Sequence, residues 1–337
     1  MSRTQLHIVF VLGCILMFTG CSQNNDVVDT NQYPILFGAI KAAEKEEPEI
    51  NGAKSRANTD YYIDGKEKIT FSEGQQLGVF AMHHGNIPWS GHQFHTPNFM
   101  FNQPLIVGEP TDNARTVSIS YSPLRYWTNE TDYFSFYCYY PWNDMTVDSP
   151  THGINFDYTS EETQAKGLKF VVKDNPEDQI DFMVGDAIIN VRQMDLKNTN
   201  GQIKFRLHHA LAMVLFNADC NAGNVTIEAA TLSGVYNTGY CLATKDSNGY
   251  NTIQWTIEGS PVEYNIKNYI KERLANNQER YMLLIPQEVT EAMILSISYR
   301  VDGGKIINKT YHLNNSINIT QWVAGKQHTY NLHLSAE

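Results

Sequence analysis

Strict two-residue alternation is the feature that most limits what this chain can fold into. Met293, Leu295, Ile297, Tyr299 and Val301 share one parity, with Ser296, Ser298 and Arg300 between them. Only an extended strand, whose successive side chains point to opposite faces, puts such a set on one side. Asp302-Gly303-Gly304 then predicts a hairpin turn into a strand over 306–313. Near the end, Tyr330, Leu332 and Leu334 alternate with Thr329, Asn331 and His333. Tyr133 to Tyr140 (YFSFYCYY) is a strand-forming aromatic run that stops at Pro141. One stretch, 263–275, has Ile266, Ile270 and Leu274 at helical spacing, and reads either as a short helix or as an ordered loop. No repeat of 20–50 residues and no heptad is visible. The pattern predicts an all-β fold.

With 337 residues, the chain has room for two domains of roughly 150 residues each. A polar, turn-rich stretch at 190–201 (NVRQMDLKNTNG) separates two strand-rich halves, so a boundary is expected near residue 195. That gives an N-terminal β-sandwich over 57–195 and a C-terminal one over 196–337, each burying alternate residues between two sheets. Charge then limits function. The formal net charge is −11, with 36 acidic against 25 basic residues and no Lys/Arg run, which lacks the electrostatic footprint of a nucleic-acid partner. HExxH, GxSxG, GxxxxGK[ST] and CxxC patterns are all missing, so no enzyme and no cofactor is expected.

The N-terminus reads as an address. Arg3 precedes an apolar run from Ile8 to Phe18, followed by Thr19-Gly20-Cys21. Such a run is too short to span a bilayer as a helix and suits a signal peptide, here residues 1–20. Small residues before Cys21 resemble a bacterial lipobox, in which that Cys is acylated. Cys14 is a rival lipobox position, and an ordinary cleaved signal is the third reading. Acylation would make the lipid the only membrane contact, at about 0.8 kcal/mol per buried methylene. Of the cysteines left, Cys138, Cys220 and Cys241, the last two are either a cross-strand disulfide or buried free thiols.

Past a polar tether (22–32), the segment 35–40, with Ile35, Leu36, Phe37 and Ile40, reads as a strand buried on both faces. A charged linker with Pro48 and Gly52 comes next, and near its end stands Arg56-Ala57. Residues 21–56 read either as a pro-segment, a removable apolar strand on a cuttable hinge with Lys41 and Lys54 as alternative cut points, or as a plain first core strand followed by a loop in which Arg56 is one Arg among many. While attached, the strand would complete the first sandwich and cover an open edge.

Other constellations offer chemistry less clearly. His83, His84, His92 and His95 lie close together in sequence. They read either as a transition-metal site or, with no Cys or carboxylate beside them, as a solvated loop. His208-His209 point to opposite faces of a strand and read as core packing. Trp89, Tyr126 and Trp142 could stack on sugars, which keeps a glycan-binding surface lipoprotein as the alternative function. The paired carboxylates Glu46-Glu47 and Glu161-Glu162 sit in hydrophilic runs with no apolar pocket to raise a pKa.

The order of short motifs carries a resemblance. Phe71-x-x-Gly74 with Leu77-Gly78-Val79-Phe80, Tyr126-Trp127 with Tyr139-Tyr140-Pro141-Trp142, and Asp181-Phe182-Met183-Val184-Gly185 come first. His208-His209-Ala210-Leu211 with Val214-Leu215-Phe216, Leu284-Ile285-Pro286-Gln287, and Trp322-Val323-Ala324-Gly325-Lys326 leading into Tyr330 complete the series. Together, over residues 70–334, they resemble the fimbrillin family, the pilins of Bacteroidia. The resemblance implies two tandem transthyretin-like β-sandwich domains and export as a lipoprotein precursor. It also implies cleavage between Arg56 and Ala57 by an Arg-directed protease. Polymerisation by donor-strand exchange with other fimbrial subunits, as a homo- or hetero-polymer, would then build an adhesive fimbrium at the outer membrane. In that scheme the strand carrying Tyr330, Leu332 and Leu334 is the natural donor; either it leaves its own domain, or the subunit only accepts a strand.

Overall fold

The computed structural model describes residues 33–38, 41–42, 59–60, 71–89, 96–110, 117–146, 153–156, 166–246, 248–249, 251–272, 280–316 and 318–336. The fold is all-β, built of several sheets joined by short 3₁₀ turns. Among the described residues no helix is long and apolar enough to cross a membrane.

The largest sheet explains the aromatic run. Its strand order is Lys41–Ala42, Arg206–His209, Met183–Gly185, Tyr133–Tyr140, Gln76–Gly85, Met100–Pro110, Val117–Ser120. Both faces of its centre are covered. Phe134, Phe136 and Cys138 join one core with Leu77, Val79, Ile203, Phe205 and Leu207. Tyr137 and Tyr139 point the other way, into a core with Phe80, Phe156, Phe170 and Phe182. A strand buried on both sides has no polar face to show, hence YFSFYCYY.

Opposite that second face lies a four-stranded sheet ordered Asn251–Glu258, Thr238–Lys245, Leu168–Val171, Ile154–Phe156. Two more sheets carry the C-terminal half. One runs Ile270–Glu272, Ala212–Cys220, Lys326–Leu334, Thr59–Asp60, with Met282–Leu284 also paired to Ala212–Cys220. The other runs Val262–Asn265, Val225–Val235, Ile294–Val301, Ile307–His312.

Alternation in the sequence corresponds to alternation in burial. Met293, Leu295, Ile297, Tyr299 and Val301 are buried. Asp302 and Gly303 both take positive φ, 48° and 72°, as a two-residue hairpin turn requires. Tyr330, Leu332 and Leu334 are buried, while Asn331 and His333 are exposed.

Two expectations are corrected, and one open alternative is decided. Over the described part of 263–275, residues 263–272, there is no helix: Val262–Asn265 and Ile270–Glu272 are strands flanking a 3₁₀ turn at Lys267–Tyr269, and Leu274 lies outside the described residues. The Asn265 side chain accepts the Lys267 N–H and starts that turn, so the spacing of Ile266 and Ile270 spans a turn, not a helical face. Cys220 and Cys241 are free thiols and do not pair; Cys241 is buried in the core, and burial pushes its pKa up. The segment around residue 35 is not buried on both faces, since Leu36 is 40% exposed.

Two features cross the boundary expected near residue 195. The Gln193–Thr199 turn contains it, yet Arg206–His209 still pairs with Met183–Gly185 in the large sheet. Thr238–Lys245 likewise pairs with Leu168–Val171 from before the boundary. The histidines expected as core packing are instead paired with carboxylates. His208 Nε2 contacts Asp186 Oδ1 at 2.5 Å and His209 Nδ1 contacts Asp181 Oδ1 at 2.8 Å, joining two of the quoted motifs.

Candidate strand-docking site

Residues 33–38 are seated between two unlike partners. On one side the loop 121–127 holds them antiparallel through a Pro34–Tyr126 bridge. There the Ile35 N–H donates to Arg125 O at 2.8 Å and the Trp127 N–H to Tyr33 O at 3.0 Å. Pro34 has no N–H to leave unpaired, which suits the position between those two bonds. On the other side Leu36–Phe37 runs parallel to Gln202–Ile203, and the Gly38 N–H donates to Ile203 O at 2.7 Å. The segment thus bridges a loop and a two-residue strand rather than lying inside a wide sheet.

Side chains divide the segment into an inner and an outer row. Ile35 is fully buried and Phe37 is 6% exposed. The Phe37 ring meets Tyr121 edge-on at 5.3 Å, Phe136 edge-on at 6.1 Å and Phe205 stacked at 6.0 Å. Tyr33 and Leu36 face outward and are exposed, as are Leu124 and Tyr126 of the holding loop. Burying Ile35 and Phe37 stabilises the seat by about 1.5–3 kcal/mol each. The Tyr121 hydroxyl adds a polar latch: it donates to Ile35 O at 2.7 Å and accepts the Arg125 N–H at 3.1 Å. Burial pushes this phenol's pKa up, so it stays a neutral donor.

Of the expected site residues, Ile35, Leu36 and Phe37 belong to this seat. Ile40, Cys21, Arg56 and Ala57 lie outside the described residues. The described chain on either side of 43–58 is anchored in different sheets: Lys41–Ala42 pairs with Arg206–Leu207, and Thr59–Asp60 with Lys326–Gln327. Tyr330, Leu332 and Leu334 are not near the seat in the pairing scheme. Their strand lies parallel to Ala212–Cys220 in unbroken register from Met213↔Gln327 to Cys220↔Leu334. Phe216 stacks on Tyr330 at 5.3 Å, and Trp322 Nε1 donates to the Tyr330 hydroxyl at 3.1 Å. In the same strand His328 is 3% exposed and accepts the Val323 N–H at Nε2; burial holds its pKa below the ordinary value.

Sequence reasoning misses the receiving residues: Tyr121, Arg125, Ile203, Phe136 and Phe205. Tyr126-Trp127 stands out as a motif, but nothing in one sequence ties it to residue 34. Among the described residues the other constellations do not assemble. His83 sits on the Gln76–Gly85 strand against Asp132 Oδ2 at 2.7 Å, and His84 against Ser135 Oγ at 2.9 Å; His92 and His95 lie outside the described residues. Trp89 is tied to Asn190, Trp142 to Gln76 and Asn102, and Tyr126 borders residue 34, so three separate sets of partners hold the three aromatics.

Residues 55–337 match the model of the fimbrillin-like family. The chain belongs to that family. It is a pilin-like structural subunit, and the family points to assembly with other subunits in a cell-surface fimbrium. Among solved structures, a candidate cell adhesion protein from Bacteroides uniformis is similar at 14% identity and a TM-score of 0.49, over 79% of this chain and 88% of that one. A fimbrial protein from Bacteroides vulgatus is similar at 19% identity and a TM-score of 0.45, over 77% and 88%. No curated protein matches the chain.

Proposed function

We propose that this fimbrillin-like chain is exported as a lipoprotein precursor acylated at Cys21 and reaches the outer membrane. There an Arg-directed protease cuts it between Arg56 and Ala57. Loss of residues 33–38 then opens a groove that accepts a strand from a neighbouring subunit. Adhesion is the use of the resulting fibre. The observation that carries this reading is the seat itself: a short segment, upstream of the family match, held by a loop and a two-residue strand with two side chains inside.

Magnitudes favour this segment as the one that leaves. Ile35 and Phe37 together contribute about 3–6 kcal/mol of burial. Withdrawing Lys326–Leu334 would strip four buried side chains, His328, Tyr330, Leu332 and Leu334, and the whole parallel ladder to Ala212–Cys220, and would tear the core of the C-terminal half. The empty groove would expose Phe136, Phe205 and Tyr121 to water, and an added strand restores both the apolar contacts and the main-chain bonds. Lys326–Leu334 therefore stays in place and the chain acts as a strand acceptor. Thr59–Asp60, just after the cut, remains paired with Lys326–Gln327, so cleavage at Arg56 separates the segment without loosening the chain beyond residue 59. The two halves correspond to tandem transthyretin-like sandwiches that share strands across residues 195–209.

Replacing the cut site tests the reading. Arg56→Ala should be exported and folded yet form no fibres, while Lys54→Ala should behave as the parent. Normal fibres from Arg56→Ala would refute processing at this bond.

A further inference from the structure

We infer that the groove under residues 33–38 is selective for one strand pattern in an incoming partner: an aliphatic residue, a freely chosen one, an aromatic, then glycine. This rests on the proposed strand exchange and names the chemistry of the partner segment. The seat supplies a different test at each position. Ile35 is completely buried within an apolar core cluster, so an aliphatic group is required there. Leu36 is 40% exposed and faces away, so its position carries no selection.

Phe37 is read by three rings at once, two edge-on and one stacked. Edge and face contacts of this kind reward an aromatic beyond its area, and an aliphatic of similar volume satisfies the area only. At Gly38 an added Cβ would come within 2.8 Å of Gln202 Oε1 and 2.9 Å of Lys204 Cγ. Both atoms belong to flexible side chains, so larger residues are penalised there rather than forbidden. Tyr121 reads no side chain along its hydrogen bond; its hydroxyl takes the main-chain carbonyl of Ile35, so it tightens any strand that enters in the same polarity.

This chain's own terminal strand fails the pattern. In the polarity of residues 33–38, Tyr330 would take the aromatic pocket and His328 would fall where Ile35 is buried. A segment of different sequence therefore fits the groove better than residues 328–331 do in this alignment.

The test uses the full chain with a sequence-specific protease site placed across residues 54–57, cut after folding. A labelled peptide copying residues 32–40 is added in excess, and exchange is read by anisotropy and co-elution. The parent peptide should enter. Its Phe37→Ala version should bind roughly 100-fold more weakly and its Leu36→Lys version within about threefold. A peptide copying 326–337 should compete at least about tenfold less well than the parent. Tyr121→Phe in the protein should weaken the parent and Leu36→Lys peptides alike, by about fivefold. If the Phe37→Ala or 326–337 peptide matched the parent within about threefold, the selectivity would be overturned and the exchange reading would stand. If no peptide entered the cut, folded chain, the exchange reading would fall and the selectivity with it.

Discussion

Phe37 and Leu36 are adjacent, similar in hydrophobicity and unlike in consequence. Phe37→Ala should destabilise the intact chain by about 3–5 kcal/mol, because the surrounding rings cannot close over the void. Leu36→Ser should change stability by no more than about 0.5 kcal/mol. Urea unfolding of the two variants measures both. His328 gives the second residue-scale prediction. Its folded pKa lies below the ordinary value because burial disfavours the cation. The unfolded chain then binds more protons at mildly acidic pH. Stability is therefore fully present above about pH 6.5 and falls as pH drops below it, toward the folded pKa. His328→Gln should be less stable at neutral pH but show a flatter dependence between about pH 7 and 5; an unchanged slope would remove His328 as the cause. In the sequence that imidazole is nothing more than one residue of an alternating strand, since its partner is a backbone N–H at Val323.

At the scale of elements, the strands differ in how they are held. Lys326–Leu334 has the unbroken ladder to Ala212–Cys220, whereas residues 33–38 have only a few bonds to a loop and to Gln202–Ile203. Amide hydrogen exchange should therefore show the Ile35 and Gly38 amides opening well before those of Leu215–Ala218, through local release rather than global unfolding. Equal protection would argue that the segment is an ordinary core strand. Alternation makes the strands 294–301 and 326–334 legible from the residues alone, because a single buried face writes itself as period two. The segment 263–272 misleads because a turn between two strands sets Ile266 and Ile270 at helical spacing. The seat is half legible: its occupant is a short apolar run, but its walls come from residues 121–127, 136 and 202–205, contacts that no local pattern encodes.

Across the whole molecule, the sheets bind the two halves together. Thr238–Lys245 pairs with Leu168–Val171, and Phe170 and Phe182 stack at 4.7 Å beside Trp255. Calorimetry should show one cooperative transition for the body of the chain; two well-separated transitions split near residue 195 would contradict the shared sheets. The polar stretch at 190–201 suggests a division, but a surface turn and a domain boundary look the same when pairing partners are unseen. The proposed processing removes residues 33–38 from assembled subunits. Intact-mass and N-terminal analysis of the chain taken from purified surface fibres tests this most directly. A subunit beginning at Ala57, with no lipid and no Ile35-containing peptide, is the predicted result; fibre-incorporated chains that still carry residues 33–38 would contradict it.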